Sequence, residues 1–203
     1  MRWTEQPAPL PVQPLAALAE RAPGLLATLR GIDPRAGLVV DVAPEVLETV
    51  TGHLERHREE RGGLLLGEVY AEDADVARSR LVRVLQAVPA PNCDGTVVSL
   101  RMASEVWEAA RARLGPKAQV IGWYHSHPGL GAFFSHTDRQ TQRAFFAHAY
   151  SVGWVIDPLR GEAAWFVGAD SGPPARVLYG VAGGFDGAGT GAGTAAGASG
   201  ATP

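Results

Sequence analysis

Three side chains that can bind a transition metal occur close together in the middle of the chain. His125 and His127 are two residues apart at the end of an apolar segment, and Asp138 follows after ten intervening residues. In a β-strand, residues i and i+2 point to the same face, so both imidazoles can converge on one point. A Pro-Gly loop after His127 can bring Asp138 back to them. Two neutral imidazoles and one carboxylate would leave a zinc ion one open position for water, as in catalytic zinc sites.

Simpler local roles exist for the same residues. Ser135 has the residue type of a helix N-cap, and Asp138, three residues later, is a favourable acid in a first helical turn. A His-x-His pair alone is weak evidence for a metal. The local roles would position the carboxylate rather than compete with it, so the joint occurrence of His125, His127, Ser135 and Asp138 favours the metal site.

The elements that must position these residues alternate between strand and helix periods. The pattern predicts an α/β (mixed α+β) single domain with a central mixed sheet flanked by helices. Predicted strands cover residues 37–42, 64–70, 79–88, 97–102, 118–127, 152–156 and 163–167. Predicted helices run from 44 to the charged cluster at 56–59, where Gly62-Gly63 stops the helix, and over 104–114 and 135–150.

Composition divides the chain into three segments. Residues 1–35 are rich in proline and are interpreted as an N-terminal arm or a short helix, with one possible helix over 15–29 broken by Pro23-Gly24. Residues 36–180 carry the predicted domain. Residues 181–203 are rich in Gly and Ala and are interpreted as a disordered tail, because they have little apolar surface to bury.

Charge and cysteine content exclude several classes of function. The formal net charge of −3 gives no basic excess for a dedicated nucleic-acid binder, and we expect no nucleic-acid partner. The single cysteine, Cys93, excludes an internal disulfide framework and a multi-cysteine zinc site. We expect no membrane association, because no apolar run approaches the ~18 residues of a membrane helix. No secretory signal pattern is expected either, which favours a cytoplasmic location.

The motif around the two histidines resembles that of the JAMM (MPN-plus) metalloproteases. It reads His-Ser-His-Pro from His125, then six residues, Ser135, two residues and Asp138. That family pattern calls for an upstream Glu before Gly-Leu-Leu-Leu-Gly, and this chain has Glu60-Arg61-Gly62-Gly63-Leu64-Leu65-Leu66-Gly67. The resemblance covers about residues 38–167. Only thirteen residues separate Asp138 from the next predicted strand, which favours a compact prokaryotic type.

The resemblance implies a role for each matching residue. It implies an MPN/JAMM-type fold and one zinc ion (Zn2+) per chain, held by His125, His127 and Asp138. Glu60 would act as general base and then general acid, and Ser135 would stabilise the tetrahedral oxyanion. The implied reaction is hydrolysis of an amide or isopeptide bond, at the C-terminus of a ubiquitin-like or sulfur-carrier protein.

Two other functions stay open at this point. The chain could be a catalytically silent MPN scaffold that holds partners, although silent members typically lack a ligand and this chain lacks none. It could also be a zinc amidohydrolase of small molecules. The sequence does not give the oligomeric state.

Overall fold

A computed structural model describes residues 11–55, 58–73, 75, 78–91 and 104–180. The single cysteine Cys93, the predicted strand over 97–102, most of the predicted loop over 89–96 and the tail 181–203 lie outside these described residues. The described elements form one mixed sheet with helices against it, which confirms the predicted fold class.

The strands and helices are as follows. The strands are β1 Val12–Pro14, β2 Val39–Val42, β3 Gly62–Ala71, β4 Ser79–Pro89, β5 Gln119–Ser126, β6 Val152–Asp157, β7 Glu162–Val167 and β8 Arg176–Tyr179. The α-helices are α1 Leu18–Arg21, α2 Pro23–Arg30, α3 Pro44–Leu54, α4 Ser104–Arg113 and α5 His136–Phe145, with short 3-10 helices at Leu15–Ala17 and Pro34–Ala36. The strand order is β7-β6-β5-β3-β4-β2-β8, and β1 pairs with β3.

Alternation along β3 divides the core between the two faces of the sheet. Leu65 and Val69 pack in a cluster with the buried face of α3, while Leu64 and Leu66 pack in a second cluster with Val106 of α4. All ten residues of β3 are buried. A strand covered on both faces reads as a nearly continuous apolar run, as this one does. β3 therefore lies at the centre of the molecule, between β4 and β5.

The N-terminal residues that the structure describes pack against the sheet. β1 runs parallel to the second half of β3, where Val12 faces Val69. Leu18 and Leu25 of the following helices are buried with Tyr70 and Leu81 in a third cluster. Pro23 occupies the first turn of α2, a position where a missing N–H costs nothing.

The two largest differences from the expected boundaries lie between α3 and β3 and at the end of α5. Gly62 and Gly63 do not stop α3, which ends at Leu54; they begin β3, where a Cβ on Gly62 would lie 2.6 Å from the Tyr124 carbonyl oxygen. Glycine is needed there because β3 and β5 approach closely. α5 ends at Phe145 rather than at residue 150, because Phe146 leaves helical geometry and its side chain enters the second cluster. None of the helices in the described part of the chain is long and apolar enough to cross a membrane.

Candidate metal centre

His125, His127 and Asp138 meet at the end of β5 and the start of α5. The two Nε2 atoms are 3.1 Å apart. Asp138 Oδ1 lies 3.4 Å from His125 Nε2, and Asp138 Oδ2 lies 3.6 Å from His127 Nε2. All three side chains are buried. The structure thus brings together the three residues that the sequence predicted as ligands, and the described residues contain this one group suited to a metal.

The spacing of these atoms fits a tetrahedral metal. Zinc bonds of about 2.0–2.1 Å at tetrahedral angles place neighbouring ligand atoms roughly 3.3 Å apart. The measured separations of 3.1, 3.4 and 3.6 Å bracket that value. Neither Nδ1 atom has a hydrogen-bond partner among the described residues. Two imidazole nitrogens and a carboxylate facing one point present several lone pairs to each other, which a bound cation would stabilise. The donor set therefore fits zinc.

Packing in the core holds His125 in place. Trp123, two residues earlier on the same face of β5, stacks on its ring with centroids 4.4 Å apart and planes 8° from parallel. The Trp123 indole N–H donates to Gln142 Oε1 of α5 at 2.7 Å, and Gln142 is fully buried. Burial lowers the pKa of the His125 imidazole despite the nearby Asp138 carboxylate. A neutral imidazole is the form that binds a metal.

Asp138 is positioned by the start of α5. Ser135 is the N-cap: its Oγ accepts from Asp138 N at 3.2 Å, and its own backbone N–H donates to Asp138 Oδ2 at 2.7 Å. This reciprocal capping box fixes the carboxylate in the first turn. Burial would raise the pKa of Asp138, but hydrogen bonding and attraction from His125, with the Ser135 hydrogen bonds, outweigh it and lower the pKa to about 2. Capping and ligation therefore favour the same ionised carboxylate.

Glu60 lies beside this group without joining it. Its Oε1 is 4.0 Å from His127 Nε2, and its side chain is 23% exposed. The next residue, Arg61, donates its backbone N–H to Ser126 Oγ at 3.0 Å and accepts from Ser126 N at 2.8 Å. Ser126 thus ties the start of β3 to the end of β5. The pairing holds Glu60 at the edge of the group, with Oε1 4.0 Å from His127 Nε2.

A residue outside the predicted site, Asp157, organises the loop between His127 and Ser135. It is fully buried at the end of β6. Its carboxylate accepts backbone N–H bonds from Gly129 at 2.9 Å and Gly131 at 2.7 Å, and from Leu159 and Arg160 in the following turn. Burial would raise its pKa, but these four donors outweigh it and hold the pKa below the usual range. The only sequence signal that could have indicated this role is an Asp followed by Pro at the end of a predicted strand.

Three exposed apolar side chains lie in the loop after His127 and in the turn after β6. Phe133 packs on the His127 ring with centroids 5.1 Å apart, yet is 48% exposed. Leu130 lies in the loop after His127 and is 62% exposed. Leu159 lies in the turn after β6 and is 67% exposed. We call Leu130, Phe133 and Leu159 the apolar rim.

Three proteins illustrate what the chain is similar to. It is 34% identical to the ubiquitin carboxyl-terminal hydrolase RPN11 of Saccharomyces cerevisiae over 103 residues, which are 48% of this chain and 31% of that protein. It is 31% identical to the 26S proteasome non-ATPase regulatory subunit 14 of Drosophila melanogaster over 135 residues, 63% and 42% of the two chains. It is 34% identical to the NAD(+) hydrolase TcpA of Theionarchaea archaeon (strain DG-70-1) over 97 residues, 47% and 26%. The chain thus spans less than half the length of these curated relatives.

A solved structure and a family model complete the comparison. The solution structure of protein DSY2949 from Desulfitobacterium hafniense superposes with a TM-score of 0.53 at 19% identity, covering 69% of this chain and 92% of that one. That likeness shows the fold. The family model for prokaryotic homologs of the JAB domain matches residues 43–167, which include Glu60, both histidines, Ser135 and Asp138. The resemblance indicated by the motifs is confirmed: the chain belongs to the family of prokaryotic homologs of the JAB domain.

Proposed function

We propose that this protein is a zinc-dependent peptidase or isopeptidase of the JAMM type. The observation that carries the proposal is the buried group of His125, His127 and Asp138, whose ligand atoms have tetrahedral spacing, with Glu60 Oε1 at its edge. When bound, a zinc ion would supply Lewis-acid activation of water and of the scissile carbonyl. Family membership supports a hydrolase, and the arrangement of the chain's own residues supports this reaction.

The acid–base step belongs to Glu60. Its carboxylate accepts a proton from the attacking water and returns it to the leaving amine, as general base and then general acid. A side chain that is 23% exposed and outside the ligand group is free to change protonation state without dismantling the site. The Oγ of Ser135 accepts from Asp138 N, so its own hydrogen can point toward the cleft and stabilise the developing oxyanion.

The proposed substrate is the C-terminal region of a ubiquitin-like or sulfur-carrier protein, joined through an amide or isopeptide bond. The name of the yeast relative supports a ubiquitin-type substrate. The apolar rim gives an extended protein tail a surface beside the scissile bond, because Phe133 lies on His127 and remains 48% exposed. The shared span is only part of either relative, 31% of the yeast protein and 26% of the NAD(+) hydrolase, so NAD(+) is kept as a competing substrate in the test below.

The test measures zinc content and turnover on the same preparations of Glu60→Gln, with Glu59→Gln as the matched control. Glu59 is adjacent in sequence, 66% exposed, and pairs with Arg61 at 3.4 Å. Glu60→Gln should keep its zinc and lose ~10²–10⁴-fold in turnover, because the amide cannot accept the proton. Glu59→Gln should keep both. The substrate panel contains fusions and isopeptide conjugates of small carrier proteins ending in Gly-Gly.

The outcomes separate this function from its alternatives. Equal turnover by Glu60→Gln and wild type, with zinc bound, would show that the proposed acid–base role is wrong. A wild-type protein that binds no zinc and cleaves no conjugate would favour a scaffold. A panel that also contains NAD(+) and amino-acid amides identifies a small-molecule hydrolase if those alone are cleaved.

A further inference from the structure

Gln142 is a fully buried amide on α5, four residues after the ligand Asp138. Its Oε1 accepts the indole N–H of Trp123 at 2.7 Å. Burying an amide is costly unless hydrogen bonds satisfy it, and neither the capping of α5 nor the ligand group uses this one. The hydrogen bonds of Gln142 therefore show which groups need an amide at this position.

Of these hydrogen bonds, the one to Trp123 is the shortest. The carbonyl oxygens that Nε2 of Gln142 faces, 3.3–3.4 Å away, are those of Phe146, Ser151 and Gly168. Two of them have a backbone donor of their own: Gly168 N–H donates to the Ser151 oxygen at 2.9 Å, and Ser171 N–H donates to the Gly168 oxygen at 3.2 Å. The Trp123 N–H has no second acceptor in the described part of the chain. The indole is thus the group that depends most on Gln142.

His125 depends in turn on Trp123 for its orientation. A ligating histidine is usually held by a hydrogen bond from its second ring nitrogen, but Nδ1 of His125 has no partner among the described residues. Rotation of an imidazole about its Cβ–Cγ bond is soft, because that torsion joins an sp³ and an sp² atom. A rotated ring would carry Nε2 away from Asp138 and His127. The Trp123 ring, stacked at 4.4 Å and 8° from parallel, takes the place of the missing hydrogen bond.

We propose that Gln142 is a positioning residue for the metal centre. It fixes the plane of the Trp123 indole, and the indole holds the His125 imidazole with Nε2 facing the other two ligands. This inference rests on the proposed metal site. Residues i and i+4 lie on one face of a helix, so a single face of α5 supplies Asp138 as a ligand and orients a second ligand on β5.

The first test measures zinc affinity by competition with a chelator. Gln142→Met keeps the length of the side chain and removes the acceptor. Zinc should then bind about tenfold more weakly, at the low end of the ~10–100-fold typical of groups that orient a ligand. Gln142→Glu keeps an acceptor oxygen for the indole and should recover part of that loss. Gln140→Met is the matched control: Gln140 is exposed on the same helix and contacts His136, so zinc affinity should be unchanged.

A double-mutant cycle tests the route through the indole. Trp123→Phe keeps an aromatic ring beside His125 but removes the N–H, so it should also weaken zinc binding. If Gln142 acts through Trp123, the variant with both Trp123→Phe and Gln142→Met should bind zinc no more weakly than the weaker-binding single variant. Losses that multiply would show that the two residues act independently and would overturn the proposal.

Proton NMR of the chelator-treated protein gives a readout that needs no zinc. The ring protons of His125 lie over the face of Trp123, so they should resonate upfield in the wild type and in Gln140→Met. In Gln142→Met they should move downfield, because the indole is no longer held against the imidazole.

Melting temperatures of the same preparations separate orientation from stability. If Gln142→Met lowers the melting temperature but leaves zinc affinity and the His125 signals unchanged, Gln142 only packs the core and the proposal is overturned. A wild type that binds no zinc would contradict the proposed function, while the NMR comparison would still decide whether Gln142 orients His125.

Discussion

The two ends of β3 both bury polar groups, but the groups are satisfied in different ways. Near the Ala71 end, Arg21 donates from Nη2 to Glu68 Oε1 at 2.9 Å and from Nη1 to Glu68 Oε2 and the Tyr70 hydroxyl, each at 2.9 Å. Tyr70 also donates to Glu68. Burial and the Glu68 carboxylate raise the pKa of Tyr70 to about 12, so its proton stays in this network. Donors and acceptors are matched, and the cluster is complete without a ligand.

At the Gly62 end the groups do not match. Two imidazoles and a carboxylate face each other across 3.1–3.6 Å, so several lone pairs point at one place. Buried polar groups in native proteins are normally satisfied, so an unmatched cluster indicates a missing ligand. The comparison teaches that buried polar groups that satisfy each other's hydrogen bonds stabilise the fold. Buried polar groups that leave each other unsatisfied indicate a site for a ligand.

Removal of a metal ligand should have the largest effect and tests the contrast between the two ends of β3 most directly. Asp138→Ala should lose zinc affinity by more than about 100-fold, since groups that only orient a ligand are each worth ~10–100-fold. Turnover should fall to background. Zinc per chain is measured by elemental analysis after equilibration with a competing chelator. Glu68→Ala, at the self-satisfied end of β3, is the control and should keep its zinc. Equal zinc in wild type and Asp138→Ala would contradict the metal assignment.

A smaller effect is expected at Ser135. Ser135→Ala should keep zinc and lose on the order of 10²–10³-fold in turnover, because the oxyanion loses a hydrogen-bond donor. Loss of the N-cap should also destabilise the fold by about 1 kcal/mol. Ser135→Thr keeps both the cap and the hydroxyl, so comparing turnover and melting temperature of the two variants separates catalysis from capping. If the turnover of Ser135→Ala falls only as much as its small loss of stability explains, Ser135 acts as a helix cap and not in catalysis.

The sequence predicted much of this site because its signals are local. The same-face rule for i and i+2 residues anticipated that His125 and His127 converge, and the spacing from Ser135 to Asp138 anticipated a helix cap. Both depend on short stretches of chain with fixed geometry. The predicted strands over 79–88 and 152–156 also agree with β4 and β6 within a residue or two.

The rest depends on partners that are distant in sequence. Gly62 and Gly63 resembled a helix stop, because the approach of β5 that requires them comes about sixty residues later. Asp157 showed in the sequence only as the end of a strand, because two of its four N–H donors, Gly129 and Gly131, lie in a loop almost thirty residues upstream. The ion pair between Arg83 and Asp41 was invisible for the same reason: only the folded chain shows which arginines have a carboxylate.

The self-satisfied end of β3 should respond in stability rather than in zinc. Glu68→Ala is expected to lower the free energy of unfolding by about 2–3 kcal/mol, because it leaves the Tyr70 hydroxyl and the Arg21 guanidinium without their acceptor. Urea unfolding of the chelator-treated protein measures it. Glu48→Ala, an exposed residue of α3, is the control and should stay within about 0.5 kcal/mol. In a double-mutant cycle Arg21→Ala should cost little once Glu68 is gone; full additivity would contradict the coupling.

The smallest expected effect concerns Asp157. Its hydrogen bonds are all made within the protein, as at the Ala71 end of β3, but it organises the loop beside the metal centre. Asp157→Asn should lower the free energy of unfolding by about 1–2 kcal/mol at pH 7, because an amide offers one acceptor oxygen where the carboxylate offers two. Its NH₂ group would face the Gly131 N–H, or the three N–H groups now bonded to Oδ1. Urea unfolding of chelator-treated wild type and variant measures the difference.

The pH dependence of that difference gives the sharper test. The folded pKa of Asp157 lies below its unfolded value, so the stabilisation is fully present above the unfolded pKa of ~3.9 and is lost as pH falls through the folded pKa. The gap between wild type and Asp157→Asn should therefore be constant from pH 7 to about 5 and narrow below about 4. Asp170→Asn, at an exposed aspartate beyond β7, is the control for the substitution itself. A gap that stays the same down to pH 3 would mean that the four backbone donors do not stabilise the charge, and that Asp157 acts through its shape alone.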